Sequence, residues 1–344
     1  MKIENRQVWE QASGDGNRSY SKECLNWDVI LNGPGAYGSW PEEKDRSYLE
    51  SMNRPRKRTG LWRFAEEMKD GDIVVLKLGQ KIGVAIGVIV GDYVWNNSFG
   101  DVDGWDLQHI RRVRWLYTKR QNFGEKVFKR GDTTQKLKSK TVLEWIKELS
   151  LNFEILTEVK TLPEDIDRGT TLDQISEYLF DNGMASGSIN KLSQNMDELV
   201  RIARWYARSE AKVSEAETIA YLVIPFLQNL GWTPQRMAIE WHRVDVALFS
   251  ALPRDTKNLT TVVEVKKRGN SCLTAQSQAE NYADKHGCDR LVVTDGIRYG
   301  VFLRQDGEFK LHAYLNITRL KSSYPIYDCL GAQNAILTMS PRRY

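Results

Sequence analysis

The 344-residue sequence is poor in cysteine and histidine, with four of each. Cys24, Cys272, Cys288 and Cys329 stand far apart with no CxxC spacing. That excludes a disulfide framework and a cysteine zinc site, and it fits a reducing compartment. His109 has no second histidine or cysteine beside it, so it is expected to be structural rather than a ligand. No stretch approaches eighteen uninterrupted apolar residues, so no membrane span is expected. The opening MKIENRQVWEQ lacks the apolar core of a secretory signal. No GxxxxGK[ST] match occurs, so ATP is not an expected cofactor. These absences predict a cytoplasmic protein with no membrane partner.

What is present is an ordinary globular composition, 41% hydrophobic and 27% charged, at a length that suggests two or three domains. The net charge of +4 is small, but it is unevenly spread. Between Arg111 and Lys140 eleven Lys/Arg face two acidic residues, Glu125 and Asp132; from Thr141 to Glu210 thirteen acidic residues face seven basic ones. The basic stretch is a candidate phosphate-contacting surface, with a solvated face as the plain alternative. Seven of the eleven tryptophans fall in the first 115 residues.

Four segments follow from pattern. Residues 1–155 are a mixed β-rich domain, in which 71–95 predicts a hairpin turning near Gly79–Lys81 and 111–118 another strand, with helical spacing at 61–69 and 141–149. Residues 156–195 form an acidic helical linker with a hinge at 182–190. Residues 196–325 are a compact α/β domain in the order helix, strand, strand, helix, strand, strand. A tail follows over 326–344. The helix of SEAETIAYLVIPFLQNLGW opens on Ser214 with Glu217 three residues on, a capping box, and ends at Gly231. The fold class is therefore α/β (α+β) with two domains.

The stretch TTVVEVKKRG (260–269) places a carboxylate and an ammonium inside a valine run, where both are costly. Alternation puts Val262, Glu264 and Lys266 on one face of the strand and Val263 and Val265 on the other. Asp245 sits between apolar neighbours in RVDVALF, and it converges with Glu264 if the two strands pair through 250–259. Two close carboxylates suit a hard divalent cation such as Mg²⁺ or Mn²⁺. Lys266 would then orient or deprotonate a water, or neutralise charge on a phosphate. By itself D-x(18)-E-x-K is a common chance pattern.

The neighbouring motifs make it specific. Residues 212–318 resemble the PD-(D/E)XK nuclease superfamily, particularly the nuclease domain of type I restriction subunits and its stand-alone relatives. The family's preceding helix stands as 214–232, its Asp as Asp245, its E-x-K as Glu264 and Lys266, its Q-x-x-x-Y helix as Gln278 and Tyr282, and its closing strand–turn–strand as LVVTDGIRYGVFL. The resemblance implies a mixed sheet flanked by helices. It implies metal binding by Asp245, Glu264 and the carbonyl of Val265, with Lys266 serving the water and the phosphate. Glu215 shares a face with Ile219, Leu222 and Phe226 and is the candidate helix glutamate; Glu217 is the runner-up. Gln278 and Tyr282 would line the DNA side of the site, with Tyr282 equally a core residue. Lys267 and Arg268 extend a basic edge.

In the first domain, MKDGDIVVLKLGQKIGVAIGVIVGDYVW, the start W-x-Q-A-S-G (9–14) and DGWDLQHIRRVRW (103–115) resemble PUA-like domains of the EVE type. The resemblance implies a β-barrel with helices that reads a modified base. A flipped base is held by aromatic faces and edge hydrogen bonds. Trp27, Asn32, Tyr37, Trp40, Trp105 and Asp106 are the candidate pocket residues, with Asp28 a further edge acceptor. Arg111, Arg112, Arg114, Lys119, Arg120 and Lys267 are the candidate DNA contacts.

The expected activity is that of a modification-dependent, type IV-like restriction endonuclease in anti-phage defence. It would recognise a modified base in double-stranded DNA, hydrolyse phosphodiesters with Mg²⁺ and act as a homodimer. Two alternatives remain: a nuclease effector activated by a small nucleotide in the first domain, and a non-catalytic nucleic-acid-binding module.

Overall fold

A computed structural model describes residues 6–14, 18–40, 60–153, 158–208, 213–267 and 272–341. The chain divides into two units, Met1–Asp167 and Arg168–Tyr344, each of mixed α/β structure.

Unit 1 is built on a sheet of β1 (Val8–Ala12), β2 (Val29–Asn32), β3 (Ile73–Leu78), β4 (Ile82–Trp95), β5 (His109–Tyr117), β6 (Gln121–Asn122) and β7 (Thr134–Lys136), with α1 (Ser21–Asn26) and α2 (Lys140–Glu148) beside it. The expected hairpin is β3–β4, antiparallel from Ile73–Val88 to Leu78–Ile82. One helix, α2, begins at Ser139, whose side chain accepts from the Val142 N–H. It buries Val142, Trp145 and Ile146 against Ile73, Val75, Ile86 and Val88.

The expected barrel is not closed by hydrogen-bonded strands. Among the described residues the strand order runs β2-β5-β4-β3-β1-β7, leaving β2 and β7 as ends. Side chains join them instead. Asn32 Nδ2 donates to Thr134 Oγ1 at 3.0 Å, Thr134 Oγ1 donates to Gln11 Oε1 at 2.7 Å, and Gln11 Nε2 donates to the Leu31 carbonyl at 2.8 Å. All three residues are buried, so this seam satisfies polar groups that would be costly unpaired.

Unit 2 is a sheet of β8 (Met237–Trp241), β9 (Val244–Phe249), β10 (Leu259–Val265), β11 (Arg290–Thr294), β12 (Arg298–Gln305), β13 (Glu308–Asn316), β14 (Ser323–Tyr324) and β15 (Cys329–Leu330). Their order is β14-β15-β13-β12-β11-β10-β9-β8. Strands β10 and β11 are parallel, joined by α7 (Gln276–His286), whose Ala275, Ala279 and Ala283 pack on Val262, Leu291 and Val293. Small residues let the helix approach the sheet closely. The opposite face, with Val246, Val263, Val265 and Val292, is covered by α3 (Leu172–Asp181), α4 (Ser186–Arg208), α5 (Glu215–Thr218), α6 (Ile224–Asn229) and α8 (Ala332–Met339).

This corrects two sequence expectations. The segment read as a linker divides between the units. Its first part lies on unit 1, where the Lys160 N–H donates to Asp28 and the Asn96 side chain to the Pro163 carbonyl. Its helical part supplies Ile175, Leu179, Ile189 and Leu192 to the core of unit 2. The segment read as a tail includes α8, which buries Ala332, Ala335, Ile336 and Met339 in the same core. Their apolar positions recur at helical spacing, which outweighs the acidic composition.

Between α5 and α6 the helix widens into a π turn, Ile219–Val223, with the Ile224 N–H reaching Ile219 O. Pro225 follows at once: it has no N–H for Tyr221 O, and its ring crowds that carbonyl. The capping box of Ser214 and Glu217 is fully formed at the start of α5.

Candidate functional site

The chemistry-bearing residues of unit 2 meet where β9 begins and β10 ends. Register pairs Val246 with Val263, which sets Asp245 beside Glu264. Asp245 Oδ2 accepts the Val265 N–H at 2.7 Å, across the strands. Glu264 is 1% exposed, and its Oε1 accepts from Lys266 Nζ at 2.7 Å. Lys266 Nζ also donates to Gln278 Oε1, at 3.0 Å, from the first turns of α7. Two of its three N–H bonds are thus used and one is left for a ligand.

The remaining Glu264 oxygen, Oε2, is buried without a hydrogen-bond partner. An orphaned carboxylate oxygen beside a second carboxylate is a donor set that a hard divalent cation satisfies. Burial pushes the carboxyl pKa of Glu264 up; the Lys266 hydrogen bond opposes this, while Asp245 and Glu215 reinforce it. Asp245 is raised for the same first reason, with Val265 N–H and Lys266 opposing and Glu215 and Glu240 reinforcing. Among the described residues no group of three or more His, Cys, Asp or Glu side chains is arranged to hold a metal. The side chains that this donor chemistry offers are the two carboxylates, Asp245 and Glu264.

Glu215 lies within electrostatic reach of both carboxylates, whereas Glu217 is engaged in the capping box and acts on Tyr206. Tyr282 packs against the apolar core under α7, so its core role is the one realised. Lys267 is half-buried at the strand end. Arg268 lies outside the described residues.

One participant was missed from sequence. Glu240, on β8, has φ +54°, and the turn residues His242 and Arg243 have φ +48° and +76°. Two left-handed central residues are what a two-residue hairpin of strand-matching twist requires. Glu240 is a third, and a non-glycine residue pays roughly 1–2 kcal/mol for that backbone. The alternation of β8 gives no hint of it.

Unit 1 has a pocket of about 510 Å³ at the end of the side-chain seam, lined by Tyr20, Asn32, Trp105, Asp106, Asp132 and Thr133 with glycines between them. Its size lies in the range of small-molecule sites. Gly33 is required where two loops touch: a Cβ there would stand 2.3 Å from the Asp106 carbonyl oxygen. Tyr20 meets Trp105 edge-on at 5.0 Å between centroids, and the Arg18 guanidinium lies 4.3 Å from the Trp105 ring centroid. Below, His109 is fully buried between Tyr93 and the Pro34 carbonyl, and burial lowers its pKa to about 4.

Of the expected pocket residues, Asn32, Trp105 and Asp106 line it. Trp27 packs edge-on against Phe99, and Tyr37 is exposed. Trp40 is buried, donating from Nε1 to Glu66 and meeting Trp62 edge-on. Tyr20 is the aromatic wall that sequence reasoning overlooked. Asp28 is used by Lys160 rather than by the pocket. Arg111 is not a surface cation: it is buried and donates to the carbonyls of Phe64, Ala65 and Met68, closing the end of the π turn Arg63–Glu67. Arg112 donates to the Lys160 carbonyl and is half-buried. Arg114 is half-exposed, and Lys119 and Arg120 are exposed.

Residues 9–145 match a family described as Domain of unknown function (DUF8426). That span begins in β1 and ends within α2, so it takes in the seam and the pocket but nothing of unit 2. No curated protein matches the chain.

Proposed function

We propose that this chain is a modification-dependent, type IV-like restriction endonuclease of the PD-(D/E)XK superfamily, with a PUA-like, EVE-type reader in its first unit. The observation that carries the reading is the buried, unpartnered Oε2 of Glu264 beside Asp245, with Lys266 bridging Glu264 and Gln278. Asp245, Glu264 and the carbonyl of Val265 would hold Mg²⁺ or Mn²⁺, which supplies Lewis-acid chemistry to a phosphodiester and a water. Asp245 keeps one oxygen tied to the Val265 N–H and offers the other. Lys266 is held in place by two acceptors and directs its third N–H at the scissile phosphate or the attacking water. Gln278 orients Lys266. Glu215 adds negative charge at the helix start and favours cation capture.

In the first unit, the pocket suits a flipped base better than a free nucleotide. Among the described residues its lining pairs aromatic faces, Tyr20 and Trp105, with the side-chain edge groups of Asn32 and Asp106 and holds no Lys or Arg, while the Asp132 carboxylate is already ion-paired to Arg63 at 3.0 Å. A base alone enters such a site, with its phosphates outside. Lys129 and Arg130, both exposed, directly precede the pocket residues Gly131–Thr133 and are placed to meet them. Arg114, Lys119, Arg120 and Lys267 remain DNA contacts in this reading. Cleavage of both strands calls for two active sites, hence a homodimer.

The test is cleavage with Mg²⁺ of matched duplexes carrying cytosine, 5-methylcytosine, 5-hydroxymethylcytosine, its glucosylated form or N6-methyladenine. Wild type and Glu264→Ala are compared. Cutting of one modified duplex, lost in the variant, is the expected result. Uniform cutting removes the modified-base reader, and cutting only with an added nucleotide favours the effector alternative. No cutting under any of these conditions leaves a non-catalytic binding module.

A further inference from the structure

We infer that Glu240 belongs to the cation site of unit 2, acting on the bound cation through an intervening water and setting how tightly it is held. The inference rests on the nuclease reading and adds a residue to it. Three observations point to it. The first is register: the pairs Ile239–Val246 and Trp241–Val244 place residues 240 and 245 opposite one another. The second is charge: Glu240 and Glu215 both act on Asp245, and of the Asp245–Glu264 pair Glu264 alone is bonded to a cation, Lys266. The third is the Glu264 Oε2 atom, buried and unpartnered on the strand beside Asp245.

Direct ligation by Glu240 does not fit, because among the described residues no three His, Cys, Asp or Glu side chains are grouped to hold one ion. Mg²⁺ sheds its waters reluctantly and keeps several of them. A carboxylate one water away then orients that shell and raises affinity by about tenfold or more. Glu240 is exposed and stands across the β8–β9 hairpin from Asp245, which leaves room for a water between its carboxylate and the cation.

The alternative is that Glu240 only occupies the turn, and substitution separates the two. Glycine accepts φ +54° freely, so Glu240→Gly relieves the backbone while removing the charge; Glu240→Gln removes the charge alone. The measurement is Mn²⁺ titration of the full chain by calorimetry, without DNA, beside thermal unfolding. Both variants are expected to bind Mn²⁺ about tenfold more weakly, and Glu240→Gly to melt no lower than wild type. Affinity of Glu240→Gly within about twofold of wild type overturns the inference and leaves Glu240 a turn residue. Glu264→Gln is the separate control on the underlying reading. If it binds Mn²⁺ as wild type does, or if wild type binds none at millimolar concentration, the cation site itself falls and Glu240 with it.

Discussion

Acidification should loosen unit 1 through one buried imidazole. The Pro34 carbonyl can only accept, so His109 Nε2 carries the hydrogen, and Nδ1 accepts the Tyr93 O–H at 2.9 Å. The Tyr93 oxygen in turn accepts the Trp40 N–H at 2.9 Å. A proton on Nδ1 would face that oxygen with a second donor and strand the hydroxyl hydrogen. Burial is the main cause of the lowered pKa, about 4 against 6.5 for a free histidine. Between those values the unfolded chain holds a proton that the folded chain does not. Stability is therefore complete above pH 6.5 and is lost as pH falls toward 4. Between pH 7.5 and 5 the linkage amounts to roughly 2 kcal/mol. With four histidines in the chain, side-chain NMR can follow each one. His109 should remain the neutral Nε2–H tautomer to near pH 4, and denaturant stability should fall less steeply with acid in His109→Gln than in wild type. A His109 midpoint near 6.5, or equal acid slopes in the two proteins, refutes the argument. Because Pro34 also lines the pocket, base binding should weaken over the same range.

Thr134→Val should leave Gln11 Oε1 and Asn32 Nδ2 without their seam partner, destabilise unit 1 by roughly 1–3 kcal/mol and weaken the proposed modified-base binding, as read by unfolding and fluorescence titration. Gly296→Ala should be more damaging than an ordinary surface change. Gly296 has φ +81°, and a Cβ would lie 2.7 Å from Leu222 Cβ, so a loss of about 1–3 kcal/mol is expected from calorimetry. Lys266→Ala should reduce cleavage about 10²–10³-fold while retaining the circular dichroism of wild type. Ser214→Ala removes a cap that accepts the Glu217 N–H and should cost about 1 kcal/mol in unfolding assays.

The second unit was the more legible. Valine recurs in β9, β10 and β11, and Glu264 and Lys266 lie two positions apart, so alternation alone put them on one strand face, the one that α7 covers. What stayed hidden depended on pairing across distance. The role of Glu240 follows from the β8–β9 register and from a left-handed backbone that no local pattern announces. In the first unit Gln11, Asn32 and Thr134 are scattered over more than a hundred residues, and only folding brings them together. Arg111 was misassigned although a signal was present. It shares a strand face with Val113, which is fully buried, while Arg112 and Arg114 occupy the other face. Counting positive charge along the stretch obscured that parity. Tyr20, set beside a small helix rather than in the tryptophan-rich loops, gave no pattern to find.

The seam of unit 1 has a consequence for how its pocket can be tuned. Where two strands pair through their backbones, their separation is fixed near 4.8 Å whatever side chains they carry. Here the two edges are held apart by the lengths of a glutamine, an asparagine and a threonine. The gap is thus a quantity that side-chain choice can adjust in steps of a single methylene or hydroxyl. A roomier or tighter mouth is reachable without moving any strand out of register, and a change in the size of whatever the pocket admits needs no change of fold.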